Sequence, residues 1–419
     1  MSAISNYLQQ RLSGGHTLQS KNKKAATYIA FLLLPMSGLI TDMYIPSMPH
    51  MAVDLQQSES AIQLTLTLFL VSYGLAQFIT GSLIDSYGRY RLTLISLVLF
   101  TLSNFIVVST HSLEIIDAMR VVQGITTGFI VVAKRAFFVD VYEGEKRKHY
   151  LSLMSIVWSA APVVAPFAGG YLQHYFNWQS NFYVLAFYGI AMLILEGLFG
   201  GETTPVFRSL KMTDAVNDYK TMFADRMFLY GIIICGLSYG TTMIFGLAGS
   251  FIIEHAMNKT PVVAGYAALA MGLAWMVGGF LGKATIDRPF LPKLRLANGL
   301  QIIITILMIV AALSISNIYT LVAFAFLIHA AVGFIFNNYF AFCLGRFPQM
   351  AGLTSGLSGG SVFILTAITS YAVVGTLHPG SQFDMGNAYL IMGVCSLLIL
   401  QFFLRPAALR RAVYKNNSR

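Results

Sequence analysis

Charge is what this sequence has least of. Asp, Glu, Lys and Arg make up 11% of its 419 residues, against about a quarter in soluble domains. Hydrophobic residues reach 56% and the mean hydropathy is +0.67. These values exclude a soluble globular domain and leave a polytopic membrane protein. Cysteine is nearly absent too: Cys235, Cys343 and Cys395 all fall inside apolar runs with no CxxC spacing, which excludes a disulfide framework and leaves packing as their role. No metal cluster, catalytic triad, nucleotide loop or haem motif is present, and no polar stretch is large enough for an ATP-hydrolysing domain. Any energy used has to come from a gradient. Residues 1 to 24 are polar, with Lys21, Lys23 and Lys24 ahead of the first apolar run, and they lack the pattern of a secretory signal.

What the chain does have is apolar runs of about 20 residues, the length that crosses about 30 Å of hydrocarbon at about 1.5 Å per residue. They predict twelve spans, at 26–46, 60–80, 92–110, 113–137, 151–172, 181–199, 228–250, 262–282, 294–315, 318–342, 353–376 and 386–404. An even number puts both termini on one side. The one long polar connection, Gly200 to Arg226, divides the spans six plus six. The expected organisation is an N-terminal tail over 1–25, a six-helix lobe over 26–199, a linker over 200–227, a second lobe over 228–404 and a basic tail over 405–419.

A net charge of +10 raises the question of nucleic acid, and the placement of the charges answers it. Of 27 Lys and Arg residues, Arg120, Lys134 and Arg135 lie within a span and Lys259 lies on the outer side, leaving 23 at the termini and inner loops. That is the positive-inside distribution, with both termini cytoplasmic and no need for a nucleic-acid partner.

The spans are organised around a short charged turn, Gly81-Ser-Leu-Ile-Asp-Ser-Tyr-Gly-Arg-Tyr-Arg91. Its glycines allow a sharp reversal, Asp85 can cap a helix, and Arg89 and Arg91 hold it to the positive face. A weaker echo, Gly282-Lys-Ala-Thr-Ile-Asp287-Arg288, occupies the matching place in the second half, as two parallel six-helix repeats would leave it.

Ionisable groups inside spans are costly and mark function by default. Asp42, late in the first span, and Arg120, early in the fourth, each lie roughly 6 to 10 Å below the outer surface. Equal depth allows a proton-coupling pair, and equally a permanent ion pair that fixes helix packing. Asp117, one helical turn before Arg120, can share its face, while Glu114 reads as a wetted boundary residue. Lys134 and Arg135, near the inner end of the same span, either snorkel to the cytoplasm or line a pathway. Pro162, Pro166, Gly169 and Gly170 suit a bending or pivoting fifth helix, or reflect the ordinary enrichment of Pro and Gly in membrane helices. Tyr44, Tyr73, Trp275, Asn337 and Asn338 can line a cavity for an amphipathic solute, and can equally sit at helix contacts or interfacial belts. His329 reads as a packing residue.

The turn Gly81-x-x-x-Asp85-x-x-Gly88-Arg89-x-Arg91 resembles the loop between the second and third helices of the major facilitator superfamily. Thr41-Asp-Met-Tyr-Ile-Pro-Ser-Met-Pro49, Arg120-Val-Val-Gln123-Gly124, Pro166-Phe-Ala-Gly-Gly170 and Phe347-Pro-Gln-Met-Ala-Gly352 narrow the resemblance to its Bcr/CflA (bicyclomycin and chloramphenicol resistance) branch of drug:proton antiporters. The resemblance implies an all-α polytopic membrane protein of twelve helices in two six-helix lobes that opens alternately to either side. It matches Asp42 to the family's membrane-embedded acid, Arg120 to its fourth-helix arginine, Arg135-Ala136 to a common Arg-Ala and Asp140 to the acid that follows.

There are departures. Val139 stands where many relatives carry arginine, Ala165-Pro166 replaces the usual Gly-Pro, and Lys134 is an added cation that can favour an anionic or zwitterionic solute. The reading implied is an inner-membrane, proton-coupled antiporter that exports a small amphipathic compound. It would work as a monomer in the lipid bilayer, with no cofactor beyond the proton gradient and no enzymatic reaction. The same fold moving a physiological metabolite, such as a siderophore-like acid or a nucleoside, in either direction is the alternative. A membrane enzyme or assembly factor is a remoter one, since it calls for catalytic clusters that the sequence lacks.

Overall fold

A computed structural model describes residues 17–204, 207 and 212–403. The expected basic tail 405–419, the start of the N-terminal tail and part of the linker lie outside the described residues. Twelve long helical elements run through the rest: α1 (Ser20–Asp54), α2 (Glu59–Tyr87), α3 (Arg89–Val108), α4 (Leu113–Val141), α5 (Gly144–Tyr175), α6 (Gln179–Phe199), α7 (Arg226–Gly249), α8 (Pro261–Ala284), α9 (Phe290–Ala312), α10 (Ile318–Gly345), α11 (Gly352–Leu377) and α12 (Gln382–Gln401). Eleven of them are long and apolar enough to cross a membrane, and α5 is the twelfth. Among the described residues the only β pairing is an isolated bridge between Thr17 and Glu202.

The helix surfaces carry an inverted polarity. Phe187, Leu198, Phe280 and Ile303 point outward, while Gln63, Gln77, Asn104, Gln123, Asn298 and Gln301 are buried. A soluble protein would sort these residues the other way, and helices facing hydrocarbon sort them this way.

The chain divides into two compact units, Met1–Val216 and Asn217–Arg419. Within the first, α2 packs closely on α4, α3 on α4 and α6, and α1 on α5; within the second, α8 packs on α10, α9 on α10 and α12, and α7 on α11. Each pairing reappears six helices later, so the weak echo of the charged turn belongs to a repeat that extends through the whole packing scheme. Small residues make the close pairs possible. A side chain at Gly124 of α4 would collide with Ser72 and the Phe69 carbonyl of α2, and one at Gly278 of α8 with the Ala330 carbonyl of α10.

Two elements depart from regular helix. α1 is segmented, with helical stretches Lys23–Leu33, Met36–Asp42 and Met48–Asp54 separated at Pro35 and around Met43–Tyr44. The prolines at 35, 46 and 49 each remove a helical donor. The seventh span, expected over 228–250, widens into π turns at Phe245–Gly249 and again at Ile252–Ala256. The cysteines are free, with Cys235 and Cys343 buried. Cys395 is exposed on α12 and does not share their packing role.

Candidate functional site

Arg120 projects from α4 into the interior of the first unit and is fully buried. Its Nη1 donates to Gln123 Oε1 at 2.7 Å and its Nε to the Thr65 carbonyl of α2 at 3.4 Å. The guanidinium lies 4.5 Å from the ring centroid of Tyr44 and 4.8 Å from that of Phe69. The Tyr44 hydroxyl is 3.0 Å from Thr65 Oγ1, which fixes the ring under the cation. Aromatic faces and neutral oxygens thus hold this charge, and among the described residues no carboxylate forms an ion pair with it. Asp117 lies on the same helix, half-buried. Tyr73 is buried on α2 and stacks parallel to Phe69 at 5.9 Å.

Asp42 ends the middle segment of α1 and is buried, at 4% exposure. Its Oδ2 meets no hydrogen-bond donor among the described residues. The equal depth expected for Asp42 and Arg120 does not bring them into an ion pair. Arg120 is held on the α2 side by Thr65 and Phe69, whereas the Met36–Asp42 segment packs chiefly on α5. Small residues put the α5 backbone there. A side chain at Gly169 would collide with the Met43 carbonyl, and one at Gly38 with Ala161. Pro162 and Pro166 sit inside an unbroken helix, Gly144–Tyr175, so α5 carries its prolines without a break. Gly170 is buried beside Gly169.

Lys134 Nζ lies 2.5 Å from Glu196 Oε1 of α6, with both side chains nearly inaccessible. A buried carboxylate therefore matches the charge that the sequence offered as free for an anionic solute. Arg135 is half-buried next to it.

The charged turn is tighter than an eleven-residue loop. α2 continues to Tyr87 and α3 begins at Arg89, so Gly81 and Asp85 are helical and Gly88 alone reverses the chain, at φ +91°. Arg89 Nη2 reaches Asp85 at 3.3 Å, and Arg89 also pairs with Asp140 at the end of α4. Arg91 is exposed. Glu202 closes the cluster by accepting from the backbone N–H of Arg89 and of Tyr90, each at 3.1 Å, so a carboxylate from beyond α6 caps the start of α3.

In the second unit Trp275 packs between Tyr239, at 5.5 Å, and Phe336, at 5.0 Å. The Asn337 and Asn338 amides donate back to the Gly333 and Phe334 carbonyls of their own helix, at 2.8 and 2.9 Å, and face Gly279 and Gly282 of α8. That is the helix-contact alternative for the two asparagines. His329 is buried, with Nδ1 2.7 Å from the Ala325 carbonyl and its ring edge-on to Phe245.

Sequence reasoning missed three participants. Glu196 carries the same signal as Asp42, an ionisable group inside an expected span (181–199); Glu202 becomes visible only through its partners, and Asp54 at the end of α1 accepts from Trp178 Nε1 at 2.7 Å. It also missed Gln77 and Asn104, buried amides with open hydrogen-bonding positions. An uncharged amide inside an apolar run carries no charge to single it out.

The chain is similar to known proteins along most of its length. The chain is 26% identical over 400 residues to a bicyclomycin resistance protein homolog of Haemophilus influenzae, covering 93% of this chain and 99% of that one. It is 26% identical over 391 residues to multidrug resistance protein D of Escherichia coli, covering 90% and 94%. The crystal structure of a D-xylose–proton symporter superposes with a TM-score of 0.73 at 14% identity, over 91% of this chain and 98% of that one, which shows a shared fold. The family model for the Major Facilitator Superfamily matches residues 30–370, and the chain belongs to that superfamily of multi-pass membrane transporters.

Proposed function

We propose that this transporter is a proton-coupled antiporter that exports a small amphipathic compound across the bacterial inner membrane by alternating access, with both termini cytoplasmic. The observation that carries the reading is Asp42: a buried carboxylate at a break in α1 whose Oδ2 has no donor and which no cation pairs among the described residues. An intramembrane acid tied to no cation is free to exchange its proton as a solute arrives and leaves, and antiport requires that competition. Arg120 positions the aromatic wall of Tyr44 and Phe69 on the α2 side of the same unit. The names of the two relatives support a drug-like, amphipathic solute. Under this reading the gradient supplies the energy, the protein works as a monomer in lipid, and it catalyses no covalent reaction.

The test is transport in proteoliposomes with a proton gradient imposed across the membrane, using bicyclomycin and chloramphenicol as probes. Wild type is expected to move a probe against its gradient only while the proton gradient lasts, and Asp42→Asn to lose that dependence. Gradient-driven transport that survives in Asp42→Asn would overturn the assignment.

A further inference from the structure

At the end of the second unit that carries Lys259, a cavity of about 410 Å³ opens between the π turn Ile252–Ala256 that follows α7 and the starts of α10 and α12. Its lining is mixed: Lys259, Ser316, Asn317, Ser381 and Gln382 supply the polar part, and Ile252, Ala256, Met257, Ile318 and Tyr319 the rest. Those last two residues also line a second groove, of about 600 Å³, that runs along α8 and α10 past Val263, Tyr266, Val322 and Phe326. The groove wall is apolar almost throughout. Tyr319 is exposed where the two spaces meet and Tyr266 is exposed along the groove, the placement aromatic residues take at a membrane–water interface.

We infer that the joined spaces form a binding site for one phospholipid of the surrounding bilayer, with its phosphate in the Lys259 cavity and an acyl chain in the α8–α10 groove. Three features on this end of the unit point the same way. A cavity that holds one cation and four polar side chains shares Ile318 and Tyr319 with an almost wholly apolar groove, a graded polarity that suits an amphiphile. Both lie on helices that cross the membrane, so the ligand is supplied by the solvent of the site itself. Lys259 is the single Lys or Arg of the outer loops, so one phosphate oxygen finds one ammonium group there, aided by the amide of Asn317 and the hydroxyl of Ser316. The site lies wholly within the second unit and is independent of Asp42 and of the compound transported.

The experiment is native mass spectrometry of the purified full chain, delipidated in detergent. It is titrated separately with palmitoyl-oleoyl phosphatidylethanolamine, with the diacylglycerol of the same chains and with inorganic phosphate. Wild type is expected to retain one phospholipid. Lys259→Gln is expected to weaken that binding about fivefold or more, and Ala323→Trp, which fills the exposed groove wall, to weaken it independently. Circular dichroism melting of each variant checks that the fold is kept. Diacylglycerol bound as tightly as phospholipid would overturn the phosphate site. Inorganic phosphate displacing the lipid signal entirely would overturn the acyl groove. Unchanged phospholipid retention in both variants would overturn the proposal as a whole.

Discussion

At the scale of single residues, buried charge in this protein is handled in three ways, and Arg120, held by aromatic faces and neutral oxygens, is one of them. Lys134 and Glu196 are matched at 2.5 Å, and removing one partner of a buried pair costs roughly 3–5 kcal/mol because the other is left uncompensated. Lys134→Met is therefore expected to lower detergent stability sharply, and the double variant Lys134→Met/Glu196→Met to recover most of the loss, as read from thermal unfolding. If the single and double variants melt alike, the pair is not what holds α4 to α6. Asp42 is handled differently, since it is buried with an open oxygen. The sequence made Asp42 and Arg120 legible because charge stands out in an apolar run. It could not make Glu196 legible as a partner, because the pairing depends on α4 meeting α6 across 62 positions of chain.

At the scale of elements, contact distance is set by glycine and cap geometry by linker residues. A side chain at Gly169 has nowhere to go but into the Met43 carbonyl, and overpacking of this kind costs roughly 1–3 kcal/mol. Gly169→Val is expected to reduce transport and melting temperature together, with Gly169→Ala milder; a fully active, equally stable Gly169→Val would show that α5 does not press on the acid-bearing break. Glu202 makes two backbone contacts at the start of α3 and three more with its own neighbours Thr203 and Thr204. Glu202→Ala is expected to cost about 1–2 kcal/mol, with Glu202→Gln recovering part of it, measured by melting of the detergent-solubilised protein. The long helices were readable from hydropathy, which is why spans and turns fall near their expected positions. The segmentation of α1 was signalled only by scattered prolines. The π turns of α7 had no local signal, because Phe245-Gly-Leu-Ala-Gly249 is as apolar and as helix-compatible as its flanks.

At the scale of the whole molecule, the same helix pairings recur in each unit, and hydropathy with the Lys and Arg distribution predicts which ends face the cytoplasm. With the native cysteines replaced, a cysteine at Lys259 is expected to react with an impermeant thiol reagent from outside intact cells, and one at Lys146 only after the membrane is opened. The reverse pattern would invert the topology. Sequence legibility was greatest at this scale because the bilayer imposes a length and a polarity on every span. It was least for the coupling site, where three-dimensional neighbours decide the chemistry.

The central claim is that proton and solute compete at Asp42, and proton release tests it most directly. Purified protein in weakly buffered detergent solution is mixed with bicyclomycin or chloramphenicol while pH is followed, in wild type and in Asp42→Asn. Release in wild type that disappears in the variant, with solute binding retained, is the predicted result. Equal release from both proteins, or binding by wild type with no release, would contradict the account.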